Sequence, residues 1–338
     1  MVTIKDIAKA SGVSASTVSR ALADIDLIPV YTRDKIKKIA DELGYIPNRA
    51  AKNLKTKKSW NIGIISFVEE KLGFSHYLFA NILDSFIKGV EAKNYDITLL
   101  SRQLLSDDGN LIGHCKGRNL DGVLILCADT DVKQIQNLLK SDIPVVAIDN
   151  FDEKIVSTTH CITSDNRAKM FELTEYILSM GHKNITYICG QDIFVTRERI
   201  KGFKAALKMS GIEFTSKMLV ESRYYNYEDP QKKINQVLDR SNPPTCILLP
   251  DDYAAIKAYE TLKLRGLEVG KDISIAGFDG LEVAQIMMPK LTTVYQDTER
   301  MGKCAAETIL QSINHIETSF LEIIPATLIK GQSVCKIF

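Results

Sequence analysis

Apolar residues recur at helical spacing through the first part of the chain, where they predict three short helices. Thr3 and Asp6 form a capping-box pattern, which places the start of the first helix at this point. Ile4, Ile7 and Ala8 then fall on one face of that helix. The spacing therefore predicts a short amphipathic helix that packs along this face.

A tight glycine turn is predicted between the first two helices. Gly12 ends the first helix, because only glycine adopts a left-handed backbone at little cost. Ser14 then caps a second helix, in which Val18, Ala21 and Leu22 point inward. Two short helices joined by such a turn form a helix-turn-helix.

The outward face of the second helix is small, hydroxylated or cationic. Such a face can sit deep in the major groove of DNA, with hydroxyls on phosphates and an arginine on a guanine edge. Phosphate contacts are expected from Ser14, Thr17 and Ser19, and base contacts from Ala15, Ser16 and Arg20. The alternative is an ordinary pair of helices with a solvated face, but serine and threonine are poor helix formers and need another reason to be there.

A third helix completes an all-α head that we place at residues 1–46. Thr32 is expected to cap this helix and Gly44 to end it. The residues expected to face inward are Ile36, Ile39, Ala40 and Leu43.

Residues 47–58 are predicted to link the head to the rest of the chain. Asn48 can cap a short helix that carries Arg49, Lys52 and Lys55. An isolated helix of this length is marginal in water, so we expect it to order when it meets DNA, with Asn48 on a phosphate. The alternative is a plain solvated linker.

From residue 61 onward, apolar runs typical of strands alternate with helical stretches. Strands are predicted at 62–68, 97–100, 123–127 and 145–148, and then at 185–189, 217–221, 246–250 and 273–278. This alternation predicts an α/β domain over 59–338 with two lobes, each containing a parallel sheet. The first lobe is expected at about 59–160 and 291–325, and the second at about 161–290 and 326–338.

The net charge of +1 conceals an uneven distribution. Residues 1–58 contain 12 Lys and Arg against 6 Asp and Glu, a net charge of +6, whereas the remainder contains 31 against 36, a net charge of −5. A basic head on an acidic body is typical of a phosphate-binding module joined to a different kind of domain.

Composition narrows the class of protein further. With 338 residues, 45% hydrophobic and 25% charged, the chain is expected to be globular, with two or three domains. We find neither an apolar run of about 18 residues nor a signal peptide, so a cytoplasmic location is expected. The seven cysteines form no Cys-x-x-Cys motif and the five histidines show no metal-ligand spacing, so we expect reduced thiols, no metal and no cofactor.

Charged residues follow several predicted strands, at the edge where parallel sheets form ligand sites. They are Asp149, Arg199, Asp251, Asp252 and Asp279. Carboxylates opposite an arginine suit a polyhydroxylated ligand, because charged groups make strong and directional hydrogen bonds to hydroxyls. Two alternatives remain: an aspartate can cap a helix instead, which we favour for Asp252, and paired carboxylates can hydrolyse a glycoside.

Several motifs of the head resemble the lactose-repressor (LacI/GalR) family of transcription regulators. They are Thr3-Ile-Lys-Asp-Ile-Ala, Gly12-Val-Ser, Thr17-Val-Ser-Arg20, Thr32-Arg33 and Gly44-Tyr-Ile-Pro-Asn-Arg49, in an order and spacing specific to that family. The resemblance continues more loosely to the C-terminus. It implies a periplasmic-binding-protein-like domain with doubly wound parallel sheets and three crossovers between two lobes. It also implies that Leu54 wedges into the minor groove of DNA.

The resemblance also selects site residues. The predicted DNA-contacting residues are Thr3, Ser14, Ala15, Ser16, Thr17, Ser19, Arg20, Asn48, Arg49, Ala51 and Leu54. The predicted effector-binding residues are Phe79, Asp149, Arg199, Tyr225, Asp251 and Asp279. The chain departs from the family pattern at Asp251, where asparagine is usual, at 74–79, which lacks a proline, and at Pro29, where serine is usual.

The function implied by the resemblance is sequence-specific, DNA-binding transcriptional regulation rather than catalysis. We expect a repressor of a carbohydrate-utilisation operon that is released from a pseudo-palindromic operator by a sugar or sugar phosphate. A homodimer would place two heads on two half-sites, and no leucine-heptad tail suggests a tetramer. The alternatives are a regulator with a non-sugar co-repressor, and a cytoplasmic sugar-binding or sugar-processing protein with a helical interaction module.

Overall fold

The computed structural model describes residues 2–24, 27–45, 58–66, 77–126, 132–150, 159–224, 228–316 and 320–337. The chain divides into two compact units, Met1–Lys58 and Ser59–Phe338. We call the first unit the head and the second the two-lobe unit. Each of them has its own hydrophobic core.

The head contains three helices, α1 (Ile4–Ser11), α2 (Ala15–Leu22) and α3 (Val30–Glu42). Their shared core consists of Ile7, Val18, Ala21, Ile28, Ile36 and Ala40. Gly12 takes a left-handed φ of 72° at the turn, and the Ser14 hydroxyl accepts the N–H of Thr17 at 3.1 Å. The predicted helix-turn-helix is therefore confirmed, together with its glycine turn and its serine cap.

The start of α3 differs from the prediction. The helix begins at Val30, and Pro29 takes the cap position with an extended ψ of 140°. The carbonyl of Pro29 accepts the N–H of Arg33 at 3.0 Å, which is the first hydrogen bond of the helix. Thr32 was wrongly predicted as the cap, because the fixed φ of proline already suits entry into a helix.

The end of α3 also differs in one side chain. The helix stops at Glu42, and Gly44 takes a left-handed φ of 66°, as expected for a residue that ends a helix. Leu43 was predicted to face inward, but it is 40% exposed. It lies at the cap position, where the chain already turns away from the helical path and loses the periodicity on which the prediction relied.

The first lobe of the two-lobe unit is built around a six-stranded sheet in which every pair is parallel. Its strands are β1 (Asn61–Ser66), β2 (Asp96–Leu99), β3 (Gly122–Leu126), β4 (Val145–Ile148), β5 (His160–Ser164) and β11 (Leu321–Ile324), in the order β11-β5-β4-β3-β1-β2. The helices of this lobe are α4 (Tyr77–Glu91), α5 (Leu111–Gly117), α6 (Lys133–Leu139) and α12 (Thr298–Ile313). Two apolar clusters pack on this sheet.

The second lobe is built around a four-stranded parallel sheet. Its strands are β6 (Ile185–Cys189), β7 (Leu219–Glu221), β8 (Cys246–Leu248) and β9 (Ser274–Ala276), in the order β7-β6-β8-β9. The helices are α7 (Asn166–Ser179), α8 (Phe194–Met209), α9 (Glu228–Leu238), α10 (Asp252–Leu264) and α11 (Glu282–Ile286). The predicted pair of α/β lobes is thereby confirmed.

Three chain segments connect the lobes. The first passes from β5 through Asp165 into α7, and the second leads from β10 (Thr293–Tyr295) into α12. The third joins β11 to β12 (Thr327–Ile329), which pairs antiparallel with β10. The Asp165 carboxylate accepts the N–H of Ala326 at 2.8 Å, so the first and third crossovers are tied together.

The boundary between the lobes needs two corrections. Strand β5 was not predicted, because the polar Thr163 and Ser164 interrupt its apolar pattern, yet it lies inside the first sheet between β4 and β11. The first lobe therefore continues to residue 164. The segment 291–296, expected in the first lobe, instead lies beside β9, since isolated bridges join Thr292 to Ala276 and Tyr295 to Asp279.

Candidate functional site

The outward face of α2 presents a cluster of hydroxyl groups. The Ser14 hydroxyl lies 2.8 Å from both the Ser16 and Thr17 hydroxyls. Ala15, Ser16 and Arg20 are exposed, whereas Thr17 and Ser19 are half-buried. Small side chains on an otherwise bare helix face allow close approach to a groove, so the geometry suits the expected contacts with phosphates and base edges.

The remaining residues predicted to contact DNA stand differently. Thr3 is exposed at the start of α1, but its N–H and its hydroxyl both donate to the Asp6 carboxylate, at 2.8 and 2.7 Å. This pairing fixes the start of the helix and lowers the pKa of the Asp6 carboxyl. The other four predicted DNA contacts lie outside the described residues; they are Asn48, Arg49, Ala51 and Leu54.

Arg199 occupies the centre of a buried polar cluster in the two-lobe unit. Helix α8 carries it, and it is only 3% exposed. Its Nε donates to Asn166 Oδ1 at 2.7 Å and its Nη1 donates to the Pro250 carbonyl at 2.9 Å. The guanidinium carbon lies 3.6 Å from the centroid of the Phe278 ring. These contacts hold the guanidinium rigidly where the strands β8 and β9 end.

Asp279 faces Arg199 from the loop after β9. It takes a positive φ of 112° and is 2% exposed. Its Oδ1 lies 3.9 Å from Arg199 Nη2 and accepts the Gln296 side-chain amide at 2.8 Å. Burial raises the pKa of Asp279 well above its ordinary value, and the charge of Arg199 opposes that shift.

Two buried acceptor atoms in this cluster lack hydrogen-bond partners among the described residues. They are Oδ2 of Asp279 and Oε1 of Gln296. An unpaired buried oxygen is costly, and native proteins rarely tolerate one without water, an ion or a ligand. Gln296 donates its side-chain amide to Asp279 Oδ1 at 2.8 Å, so both oxygens belong to one hydrogen-bonded pair of residues that can accept the hydroxyl donors of a polyol.

Asp149 approaches the same region from the first lobe, immediately after β4. It takes a left-handed φ of 56°, and its Oδ1 accepts the Thr163 hydroxyl at 2.6 Å. Burial raises the pKa of Asp149, whereas the hydrogen bond from Thr163 and the charge of Arg199 act in the opposite direction. The three residues Asp149, Arg199 and Asp279, which sequence patterns placed after strands, are therefore brought into one electrostatically linked cluster.

Other predicted effector contacts have different surroundings. Asp251 caps α10, and its carboxylate accepts the N–H of Ala254 at 2.7 Å. Phe79 is only 4% exposed and belongs to the core of the first lobe. Tyr225, also predicted to contact the effector, lies outside the described residues. The preceding residue, Tyr224, is buried, and the centroid of its ring lies 5.9 Å from the Arg199 guanidinium carbon.

Asp252 does not cap α10 as expected, because Asp251 takes that position. Its carboxylate accepts the Thr293 hydroxyl at 2.6 Å and the N–H of Leu281 at 2.8 Å. Burial raises the pKa of Asp252 to about 8, and these two hydrogen bonds work against the shift. Asp252 therefore fastens the segment after β9 to β10 and serves the architecture.

Sequence patterns missed the partners that hold the cluster. They are Thr163, Asn166, Tyr224, Phe278 and Gln296. Each of them lies at a strand end or a helix start, and this position was the only available signal.

A cavity of about 560 Å³ lies beside the cluster and includes Thr163 and Asn166 in its wall. Residues from both lobes line it, among them Phe171 and Phe194 from the second lobe and Ile323 from the first. A space of this size is within the range of small-molecule sites.

The described part of the chain offers neither a metal site nor a membrane span. No group of three or more histidine, cysteine, aspartate or glutamate residues is placed to hold a metal ion among the described residues. No helix in the same ranges combines the length and the apolar character that a bilayer span requires.

Two family models match the sequence. Residues 3–48 match the model described as bacterial regulatory proteins, lacI family. Residues 174–334 match the model described as periplasmic binding protein-like domain.

Curated relatives match over almost the whole chain. The probable HTH-type transcriptional repressor ExuR of Bacillus subtilis (strain 168) is 33% identical over 331 residues, covering 97% of this chain and 96% of the relative. The HTH-type transcriptional repressor PurR of Vibrio atlanticus (strain LGP32) is 29% identical over 319 residues, covering 93% and 92%. The ribose operon repressor of Haemophilus influenzae is 26% identical over 329 residues, covering 96% of each.

Solved structures show the same fold. A lac repressor dimer bound to operator and the anti-inducer ONPF superposes with a TM-score of 0.82 at 23% identity, covering 99% of both chains. A complex of the transcriptional regulator CelR with cellobiose superposes with a TM-score of 0.74 at 24% identity, covering 98% of this chain and 100% of the other.

A helix-turn-helix head and a periplasmic-binding-protein-like unit together define a transcription regulator. The similarity to ExuR extends over both parts, and the chain belongs to the lacI family of bacterial regulatory proteins. It is a sequence-specific DNA-binding transcriptional regulator and not an enzyme. The alternative of a sugar-processing protein with a helical interaction module is therefore wrong.

Proposed function

We propose that this regulator is a repressor of carbohydrate-utilisation genes, and that a small sugar-like effector releases it from a pseudo-palindromic operator. The relatives named as ExuR, ribose operon and PurR repressors support the sign of regulation. The CelR complex with cellobiose supports a sugar as the class of effector. Because its target is chromosomal DNA, we place the protein in the cytoplasm.

The pair of unpaired acceptors at Asp279 and Gln296 carries the proposal of a polyhydroxylated effector. Their free oxygens accept hydroxyl protons, while Arg199 and Asp149 supply charge on either side. A ligand with several adjacent hydroxyls satisfies both acceptors at once, which an apolar ligand cannot do. The predicted contacts Phe79, Tyr225 and Asp251 remain proposals as further walls of the site.

The operator contacts are proposed for the outward face of α2 and for the linker. Arg20 and Ser16 are exposed and able to reach base edges, and the hydroxyl cluster around Ser14 is suited to phosphates. In the linker we propose Asn48 on a phosphate and Leu54 as the minor-groove wedge. Thr3, Arg49 and Ala51 complete the proposed set.

Release from DNA is proposed to follow from a shift between two lobe arrangements. Asp149 comes from the first lobe, whereas Arg199 and Asp279 come from the second, so a ligand that contacts all three stabilises one arrangement. The effector changes operator affinity only if it binds the two arrangements with different affinity. A ligand bridging both lobes meets that condition.

A thermal-shift screen tests the effector site. The panel contains D-glucose, D-galactose, D-ribose, cellobiose, glucose 6-phosphate and the nucleobases, because binding to the native state raises the melting temperature. We expect a sugar or sugar phosphate to raise the melting temperature, and Arg199→Ala to remove that response. Arg197→Ala is the matched control, since Arg197 lies on the same helix but is exposed and paired with Asp192 at 3.1 Å.

Three results of the screen contradict parts of the proposal. A response to a nucleobase alone would replace the sugar effector with a non-sugar co-repressor. A response that survives in Arg199→Ala at wild-type sensitivity would reject the site. No response from any sugar or sugar phosphate would reject the sugar class.

A further inference from the structure

A directional chain of hydrogen bonds connects the two lobes through the crossover after β5. Arg199 Nε donates to Asn166 Oδ1 at 2.7 Å, and Asn166 Nδ2 donates to Thr163 Oγ1 at 3.1 Å. Thr163 then donates its hydroxyl proton to Asp149 Oδ1 at 2.6 Å. The chain therefore leads from a cation in the second lobe to a carboxylate in the first, with each donor pointing toward Asp149.

The direction of this chain is fixed by its chemistry. A hydroxyl has one proton, so Thr163, which donates that proton to Asp149, must be the acceptor in its hydrogen bond with Asn166. The Asn166 amide cannot be flipped, because its Nδ2 also donates to the Ser164 carbonyl at 3.0 Å. A flipped amide would place its NH₂ against the N–H of Arg199 and its oxygen against that carbonyl. Hydrogen bonds aligned in this way polarise one another in a buried site.

The position of Asn166 places the chain of hydrogen bonds where the two lobes are connected. Asn166 is the first residue of α7, one residue after Asp165, at which the chain crosses from one lobe to the other. Thr163 and Asn166 are each 2% exposed, and Arg199 is 3% exposed, so water does not replace these bonds freely. Any rotation of the lobes at this crossover changes the distance that the chain of hydrogen bonds must span.

We propose that Asn166 is a positioning residue that couples the two charged effector contacts across the crossover. This inference rests on the proposed effector site. Asn166 holds the Arg199 guanidinium at the site and transmits its position through Thr163 to Asp149. A ligand that engages Asp149 therefore changes the hold on Arg199, and the two contacts act as one unit.

The first test compares variants in the sugar panel of D-glucose, D-galactose, D-ribose, cellobiose and glucose 6-phosphate. For any compound that stabilises the wild type, Asn166→Ala is expected to weaken binding about tenfold or more, the scale of lost hydrogen bonds to a charged group. Thr174→Val is the matched control. Thr174 also lies on α7, is fully buried and, among the described residues, bonds only the Met170 carbonyl at 2.7 Å.

Asn166→Asp separates coupling from simple support of Arg199. An aspartate keeps an acceptor for Arg199 Nε but loses both donors, so it breaks the link to Thr163. We expect it to bind the panel sugar as poorly as Asn166→Ala. Wild-type binding in Asn166→Asp would overturn the coupling. Equal loss in Thr174→Val would also overturn it, because the effect would then be one of general stability.

A second test needs no effector. Thr163→Val and Arg199→Lys alter residues joined through Asn166, and we expect their effects on the unfolding equilibrium in urea to depart from additivity by about threefold or more. In an Asn166→Ala background the departure is expected to vanish. Additive effects in the wild-type background, or a departure that persists without Asn166, would overturn the inference. If no panel sugar binds the wild type, the proposal of a sugar effector is rejected, and this second test still decides whether Asn166 couples Arg199 to Thr163.

Discussion

A buried charge persists only when its surroundings replace the water that it has lost, and Arg199 shows how this is achieved. An amide oxygen, a backbone carbonyl, an aromatic face and a carboxylate surround its guanidinium. Removing one partner from a buried charge costs about 3–5 kcal/mol in typical proteins. Such an arrangement fixes the charge in one orientation, as a ligand site requires.

Arg20 is expected to read one base of the operator. Replacing Arg20 by alanine should cost about 1–3 kcal/mol at that base and relax the sequence preference there, because the bidentate contact to guanine is lost. Selection of binding sites from a randomised DNA library measures the preference. Lys38→Ala removes the same charge from an exposed residue of α3 and should leave the preference intact. An unchanged preference in Arg20→Ala would reject its role.

Asp252 is expected to make stability depend on pH, because its pKa differs between the folded and the unfolded protein. Its pKa is about 8 in the folded protein against 3.8 as the ordinary value, so the native state binds more protons between these limits. Stability should therefore rise as the pH falls from 9 to 6.5, with a slope of at most about 1.4 kcal/mol per pH unit for one proton.

The Asp252→Asn variant isolates this contribution. It carries no titratable group at this position. As the pH falls over the same range, the urea midpoint of the wild type should therefore rise relative to that of the variant. Asp108→Asn, at an exposed position, is the control for loss of charge. Parallel pH profiles of wild type and Asp252→Asn would show that the Thr293 and Leu281 hydrogen bonds keep the group ionised.

Sequence reasoning found charged residues more readily than their partners. Asp149, Arg199 and Asp279 each follow a strand, and a motif resemblance supported them. Asn166 and Gln296 were missed because their roles depend on which strand ends meet in space, which a linear pattern does not contain. Asp251 caps α10, and because an aspartate before a helix is favoured both as a cap and as a ligand, its place in the sequence does not by itself assign the role.

At the scale of elements, the close packing of α7 on α8 determines where Arg199 lies. Gly202 is on the face of α8 that meets α7, and a Cβ added there would come within 2.2 Å of the Arg167 carbonyl oxygen. Only glycine permits this approach of two helices. Because Gly202 is three residues beyond Arg199, about one helical turn, the same contact sets the position of the arginine.

Gly202→Ala is expected to force the two helices apart. The added methyl group meets backbone rather than a movable side chain, so we expect a loss of about 1–3 kcal/mol in stability, typical of overpacking. Chemical denaturation measures it. Gly117→Ala is the control in the same unit, because Gly117 is also a helical glycine, the last residue of α5, and nothing lies within 4 Å of the added Cβ. Equal stability of the two variants would contradict this account of the helix packing.

The elements themselves were largely predictable, because apolar periodicity and turn residues are local. The three head helices, the glycine turn and most strands of both sheets were expected from pattern alone. Strand β5 was missed, since its Thr163 and Ser164 are polar residues. Their burial depends on the neighbouring strands and, for Thr163, on the hydrogen bond from Asn166. Segment 291–296 was assigned to the wrong lobe because its pairing with β9 is set by the fold as a whole.

At the scale of the whole molecule, exposed apolar side chains indicate how copies of the chain associate. Ile286, the last residue of α11, is 77% exposed, and Met288, two residues further along the chain, is 83% exposed. Large apolar side chains exposed near each other in the chain can contribute to an apolar interface. We propose that they contribute to the homodimer that the operator symmetry requires.

The double variant Ile286→Asp, Met288→Asp is expected to be monomeric. Charges buried at an interface oppose association, and two untethered heads lose the gain from simultaneous binding, so operator affinity should fall at least about a hundredfold. Analytical ultracentrifugation and DNA titration measure the two effects. Met209→Asp, at a 70% exposed position on α8, is the control expected to remain dimeric. A double variant that stays dimeric would place the interface elsewhere.

The most direct test of an effector-controlled repressor is a titration of the protein with its own selected operator, with and without the sugar found in the thermal-shift panel. We expect sequence-selective binding with a steep dependence on salt, and at least about fivefold weaker binding when the sugar is present. We also expect Arg199→Ala to bind the operator like the wild type but to lose the response to the sugar. An operator affinity that is the same with and without the sugar would show that the sugar does not control this repressor.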